Sequence, residues 1–364
     1  MKIKDITRYL EDIAPISLQE DYDNCGLIIG DYSSDVDSIL VTLDCTESVI
    51  DEAIDNNCNL VISHHPIIFF PVKKINGNNY MERAIIKAIK NDIAIYAIHT
   101  NLDNIKNGVN AKIAERLGLE DTFVLSPKEG QLRQLVFYCP TAHVDRVKSV
   151  LFKEGAGSIG SYDQCSFTIS GKGTFRPLKN SNPFIGDIGE IHVGEEERVA
   201  LTFHQHIQSR VINRLREIHP YEEVAYQIYK LDNAYQDVGA GLIGSLAVAE
   251  TADKFLNTLK ERMDTACIRY TKISSKKIKN IAICGGSGSY LLNAAKNAGA
   301  DIFITSDFKY HEFFDAEEEI IIADIGHYES EQFTKDLIYD LLIEKFPKFA
   351  VHLSKLNTNP IKYL

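Results

Sequence analysis

Leu60-Val61-Ile62-Ser63-His64-His65-Pro66 is the stretch whose reading decides the fold of this chain. A short β-branched run, too brief for a helix, ends in two imidazoles and a proline, which marks a buried strand and its exit. The runs at 39–45 and 93–98 have the same character. Between them, 47–56 places Val49, Ile50, Ala53 and Ile54 on one helical face, and 80–90 does the same with Met81, Ala84, Ile85 and Ala88. Strands that alternate with amphipathic helices run parallel and are joined by helical crossovers. Parallel α/β sheets put their ligand sites beyond the carboxyl ends of the strands, which is where His64 and His65 fall. Adjacent residues leaving a strand point in different directions, so the pair suits two metal ions better than chelation of one. The plain alternative is an ordinary satisfied histidine pair.

The same style returns in the last third. Strands are expected at 278–284, 301–305 and 320–324, a helix at 290–297, and a long helix at 330–346 with Phe333, Leu337, Ile338, Leu341 and Leu342 as one apolar stripe. The middle third reads as two consecutive βαβ units, 132–138, 142–153 and 165–170, then 198–203, 206–218 and 224–229, with 171–189 as the loop between them. Units of this size make a ferredoxin-like sandwich. Polar, glycine-rich joints at 126–130 and 237–244 mark its borders. The expected fold is therefore α/β: a discontinuous, mixed but mostly parallel sheet core with helices on its faces, formed by 1–126 and 237–364, with an inserted ferredoxin-like α+β domain at 127–236.

Composition narrows the function classes. The 364 residues are 45% hydrophobic and 25% charged, values of a folded globular protein. With 39 Lys and Arg against 51 Asp and Glu, the net charge of −12 disfavours phosphate backbones and anionic membrane surfaces as partners. No run approaches the roughly 20 apolar residues of a membrane helix, and residues 1–15 alternate charged and apolar positions at helical spacing rather than forming a signal peptide. A cytoplasmic protein is expected. Seven cysteines, odd in number and never in CxxC spacing, argue against a disulfide framework or a zinc knuckle. A metal would have to be held by histidine and carboxylate.

Two further segments carry such groups. His99-Thr100-Asn101-Leu102-Asp103 follows the 93–98 strand on the same sheet edge, where Asp103 can bridge two cations and His99 can ligate or orient a ligand. An Asx-turn or helix cap is the simpler role for Asp103. Asp324-Ile325-Gly326-His327-Tyr328-Glu329-Ser330-Glu331 also leaves a strand for a helix, and His327 and Glu331, four apart, share one helical face. Acids at a helix N-terminus that complement its dipole are the competing explanation. Together these nitrogen and oxygen donors suit Zn, Mn, Fe or Co rather than a soft ion. Cys284-Gly285-Gly286-Ser287-Gly288-Ser289 is a candidate phosphate cradle that lacks a Walker lysine, or else a tight turn. Thr305-Ser306-Asp307-Phe308-Lys309-Tyr310-His311 offers Asp307 and His311 as polar pocket candidates.

These motifs, SHHP, HTNLD, CGGSGS, TSDFKYH and DIGHYESE, resemble the Nif-three-like family of dinuclear-metal hexameric proteins, also called GTP cyclohydrolase 1 type 2 homologues. In the middle third, CPTAHVDRV and His219-Pro220-Tyr221-Glu222-Glu223 look like the PII/CutA-like insertion of the long bacterial members. A departure stands at Leu242, where the family pattern GxGRxGxL leads one to expect arginine. The resemblance implies His64, His65, Asp103, His327 and Glu331 as ligands of two divalent metal ions per subunit, zinc first among them, with Asp103 or Glu331 bridging. His99, Asn101, Gly286, Ser287, Asp307 and His311 are then candidates for supporting or substrate contacts. It also implies a homohexamer, built as a trimer of dimers or as two stacked trimers.

The function expected is a dinuclear metal-dependent hydrolase that opens the imidazole ring of GTP and releases formate, acting on a nucleotide or a small phosphorylated ligand. A phosphoesterase would use a similar site. The rival class is a non-catalytic metal-binding scaffold or regulator whose insertion senses a small molecule, although His219 to Glu223 also reads as an ordinary turn into an edge strand. Nucleic-acid binding is disfavoured by charge and by the lack of a recognition module.

Overall fold

The computed structural model describes residues 1–272 and 277–364. The chain forms two compact units, Met1–Pro127 with Gln236–Leu364, and Lys128–Tyr235.

In the first unit the apolar runs pair as their pattern predicts. Ser38–Thr42, Leu60–Ser63 and Ala94–Ala97 are parallel neighbours, with Ile39 opposite Leu60 and Leu60 opposite Ala94. Ala350–Leu353 adds a parallel edge and Gly26–Ile29 an antiparallel one, completing a five-stranded sheet. Helices Glu47–Asp55 and Tyr80–Lys90 supply the crossovers, N-capped by Thr46 and Asn79, whose side chains accept from Val49 and Glu82 backbone N–H groups.

The strands of the last third form a separate six-stranded sheet rather than extending the first. Lys277–Ser287, Ile302–Ser306 and Ile321–Asp324 are parallel, with Ile281 opposite Ile302 and Ile302 opposite Ile321. Arg269–Tyr270, Gly239–Thr251 and Glu120–Pro127 add antiparallel pairings. The two sheets share one apolar layer. Ile39, Val41, Leu60 and Ile62 from the first meet Ile281, Ile283, Ile302 and Ile304 from the second in a single cluster. The alternate residues face outward under helices: Leu40 and Val61 pack with Val49 and Ala84, and Ala282 and Phe303 with Leu292 and Ala295. Strands buried on both faces are what continuous apolar runs encode.

The glycine-rich joint 237–244 opens the strand Gly239–Thr251, where a Cβ on Gly239 would strike Ser126 and Pro127 of the neighbouring strand. Two local expectations change. The long helix 330–346 is divided into His327–Glu331 and Thr334–Lys345. Part of 171–189 continues the strand Phe167–Phe175 instead of looping.

The second unit is a four-stranded antiparallel sheet in the order Phe167–Phe175, His192–His204, Leu132–Pro140, Tyr226–Leu231. Helices Val144–Lys153 and Gln208–Ile218 bury Val147, Leu151, Val211 and Leu215 against Leu135, Phe137, Val199 and Leu201. Among the described residues no helix is long and apolar enough to cross a membrane.

Candidate metal centre

Parallel strands of both sheets in the first unit deliver polar side chains from their carboxyl ends. His64 and His65 leave Leu60–Ser63, and their N–H groups still donate to Thr42 and Leu43 carbonyls at 3.2 and 3.0 Å, so the strand ladder holds the pair in place. His99 leaves Ala94–Ala97, and Asp103 ends the single turn Thr100–Asp103 that follows. From the second sheet come Asp307, after Ile302–Ser306, and the short helix His327–Glu331, after Ile321–Asp324.

These groups form three overlapping clusters of donors, His64 with Asp103 and Glu331, His65 with His327 and Glu331, and His64 with His65 and His99, each with its donor atoms within 4.8 Å of one another. Glu331 belongs to two of them. Its Oε2 lies 2.9 Å from His65 Nε2 and 3.1 Å from His327 Nε2, and its Oε1 lies 3.9 Å from His64 Nε2. His64 Nε2 and Asp103 Oδ1 face each other at 3.6 Å, both buried and both without a hydrogen-bond partner. A buried polar atom left unpaired costs about 1–3 kcal/mol. Two such atoms that are both metal donors, beside the Glu331 carboxylate, fit a divalent cation.

The imidazoles are held in a common way. His65 Nδ1 meets Asp44 Oδ1 at 2.7 Å, His99 Nδ1 meets Asp23 Oδ1 at 2.8 Å, His327 Nδ1 meets Asp307 Oδ2 at 2.6 Å, and His64 Nδ1 meets the Ile98 carbonyl at 2.8 Å. An acceptor on Nδ1 fixes the ring and raises the basicity of Nε2, the arrangement that supports metal-ligating histidines.

The charges are strongly coupled. Burial pushes His64 down to about 4. Burial also opposes protonation of His65, but the Asp44 and Glu331 carboxylates outweigh it and lift the ring to about 9. His327 is lifted to about 11, burial again being overcome by Glu331 and Asp307. Burial and the neighbouring Glu331 charge hold the Asp103 carboxyl well above its ordinary range. Burial works against ionisation of Glu331 too, yet His327 and the other imidazoles hold it well below the usual range. Opposite displacements packed into one cavity are typical of functional sites.

A profile of the family described as Duf34/NIF3 (NGG1p interacting factor 3) matches residues 1–360. The chain belongs to the DUF34/NIF3 family. It is 37% identical to a Bacillus subtilis protein named GTP cyclohydrolase 1 type 2 homolog, over 99% of this chain and 98% of that one. It is 33% identical to a Staphylococcus epidermidis protein of the same name, over the full length of both. A crystal structure of a Bacillus cereus protein related to NIF3 superposes with a TM-score of 0.88 at 36% identity, covering 100% of this chain and 99% of that one.

Within this DUF34/NIF3 chain the structure brings His64, His65, His99, Asp103, His327 and Glu331 to one place, with Asp307 behind His327 and Ser287 on the cavity wall. Asn101 is buried and shapes the loop, its amide donating to the Ala14 carbonyl and its oxygen accepting from the His99 N–H. His311 stands apart, on the turn Tyr310–Ala316 against Tyr310 and Phe314, so it is not a pocket group. The glycine segment is no phosphate cradle at its start, because the Gly285 and Gly286 N–H groups already donate to Asn110 Oδ1 and Ser330 Oγ. Gly286 serves another purpose: at φ +63°, it leaves the space that a Cβ would take from Glu331 Oε1. Leu242 is buried in the core at 1% exposure, facing Ile283 and Val124. Sequence reasoning missed Asp44 and Asp23. Asp44 follows the strand beside the histidine strand and was legible as a strand-end acid; Asp23, in a loop before the first strand, carried no signal.

Proposed function

We propose that the centre holds two divalent cations and that this protein is a metal-dependent hydrolase of the GTP cyclohydrolase type. His65, His327 and one oxygen of Glu331 would hold one cation, and His64, Asp103 and the other oxygen of Glu331 the second. The supporting observation is the pair of buried, unpartnered donor atoms, His64 Nε2 and Asp103 Oδ1, beside a carboxylate shared with a second donor cluster. Imidazole and carboxylate donors without a thiolate suit zinc, manganese, iron or cobalt. Cations of this kind supply Lewis-acid polarisation and activation of water near neutral pH. The chain itself contributes orientation: Asp44, Asp23 and Asp307 fix three rings from behind, and Gly286 makes room for Glu331. Above them opens a cavity of about 510 Å³, within the span of about 300–1,000 Å³ usual for small-molecule sites.

The name carried by the Bacillus and Staphylococcus relatives supports GTP as substrate, with C8 of the guanine leaving as formate at the expense of two waters. Zinc- or manganese-loaded protein incubated with GTP is expected to release formate, detectable by proton NMR, and His65→Ala is expected to lose both metal and turnover. Formate release that survives His65→Ala while metal content falls would overturn the mechanism. A fully loaded protein that turns over no nucleotide would leave the non-catalytic metal-binding reading in its place.

A further inference from the structure

The wall of the cavity differs from that of a phosphate site. Among the described residues its lining contains no lysine or arginine. It contains four carboxylates, Glu20, Asp44, Asp103 and Glu331, which two divalent cations offset charge for charge. The protein therefore offers a polyphosphate no cationic side chain in this cavity, and side-chain recognition of phosphate ordinarily relies on such charge or on free backbone N–H groups. The N–H groups of Gly285 and Gly286 are already bonded within the protein, and Leu242 lies in the core.

Aromatic surface is present instead. Tyr22 and Tyr290 line the cavity although they remain 64% and 68% exposed. Phe69 continues the series inward, its ring centroid 6.1 Å from that of Tyr22 and 6.2 Å from that of His99. Rings thus lead from the mouth to the imidazoles. Aromatic side chains stack on planar bases irrespective of charge, and a carboxylate on the same wall, with about four lone-pair sites, can accept an N–H beside the bonds it already accepts. Resting on the metal-centre reading above, we infer that this site recognises its substrate through an uncharged, planar, N–H-bearing heterocycle packed among Tyr22, Phe69 and Tyr290, and that phosphate groups add nothing to binding.

The test is equilibrium dialysis of zinc-loaded protein against guanosine, GMP and GTP, with metal content measured before and after. The three ligands are expected to bind within about threefold of one another. Tyr290→Ala and Tyr22→Ala are each expected to weaken guanosine binding about tenfold while metal content and circular dichroism stay unchanged. Affinity that rises tenfold or more with added phosphates would overturn the inference. So would tyrosine variants that bind as wild type, or loaded protein that binds none of the three. Tight guanosine binding without formate release would leave the inference standing and remove the hydrolase reading; a protein that cannot be loaded with metal would remove both.

Discussion

Without metal, the two adjacent imidazoles make a joint contribution to stability that is largest near pH 6.5. Burial holds His64 down at about 4, and Asp44 with Glu331, against the effect of burial, holds His65 up at about 9. Unfolding returns both to about 6.5. The depressed His64 contributes stability that is present above about pH 6.5 and is lost as pH falls through about 4. The elevated His65 contributes stability that is fully present below about pH 6.5 and is lost as pH rises through about 9. Each displacement of about 2.5 pH units is worth about 3 kcal/mol, and the two side chains are 0% and 20% exposed, so solvent screening takes little from it. The lowering of Glu331, caused against the effect of burial first by His327 and then by His64 and His65, includes the other face of the His65 interaction and is not counted again. Ligation reverses the second slope, since a histidine must shed its Nε2 proton to bind a cation. Urea unfolding of chelator-treated wild type and His65→Gln, from pH 6 to 9, isolates the effect. The wild-type advantage is expected to shrink by about 3 kcal/mol over that range, while the metal-loaded protein gains relative to the metal-free one. A wild-type advantage that stays flat or grows with pH in the metal-free protein would refute the charge assignment.

Other consequences are equally direct. Asp44→Asn removes the charge behind His65 and should weaken zinc binding about 10- to 100-fold in a chelator competition, with the fold unchanged by circular dichroism. Gly286→Ala forces a left-handed residue against Glu331; a loss of about 1–3 kcal/mol of stability, together with lowered metal content, is the expected result, and full metal retention would contradict the close-approach role. The hexamer implied by the resemblance should scatter light as about six chains of 40.9 kDa, and a monomeric mass would rule it out.

The parts of the centre that were legible in the sequence are those written into strand ends. His64 and His65 close a fully buried four-residue run, and His327 and Glu331 follow another, so continuous apolar runs and a parallel topology were enough to place them on sheet edges. Asp44 and Asp23 act across 21 and 76 residues of chain, through contacts that no local pattern encodes. The division of the core into two sheets was hidden for a related reason: Ile281, Ile302 and Ile321 are patterned alike whether they extend the first sheet or stack against it. Glycines at 239, 241 and 244 read as a joint at the border of the insertion, and their close-approach role, letting Gly239–Thr251 lie tightly between two antiparallel neighbours, was not legible. The break after Glu331 likewise interrupts an apolar stripe that by itself predicts one continuous helix.

The most direct test of the dinuclear centre is the metal content of protein reconstituted with zinc and freed of excess, determined by plasma emission for wild type, Asp103→Ala and Glu331→Ala. Two equivalents per chain are expected in wild type, about one in Asp103→Ala, and less than one in Glu331→Ala, whose two oxygens serve both donor clusters. One equivalent or none in wild type, or a content that neither substitution changes, would contradict it.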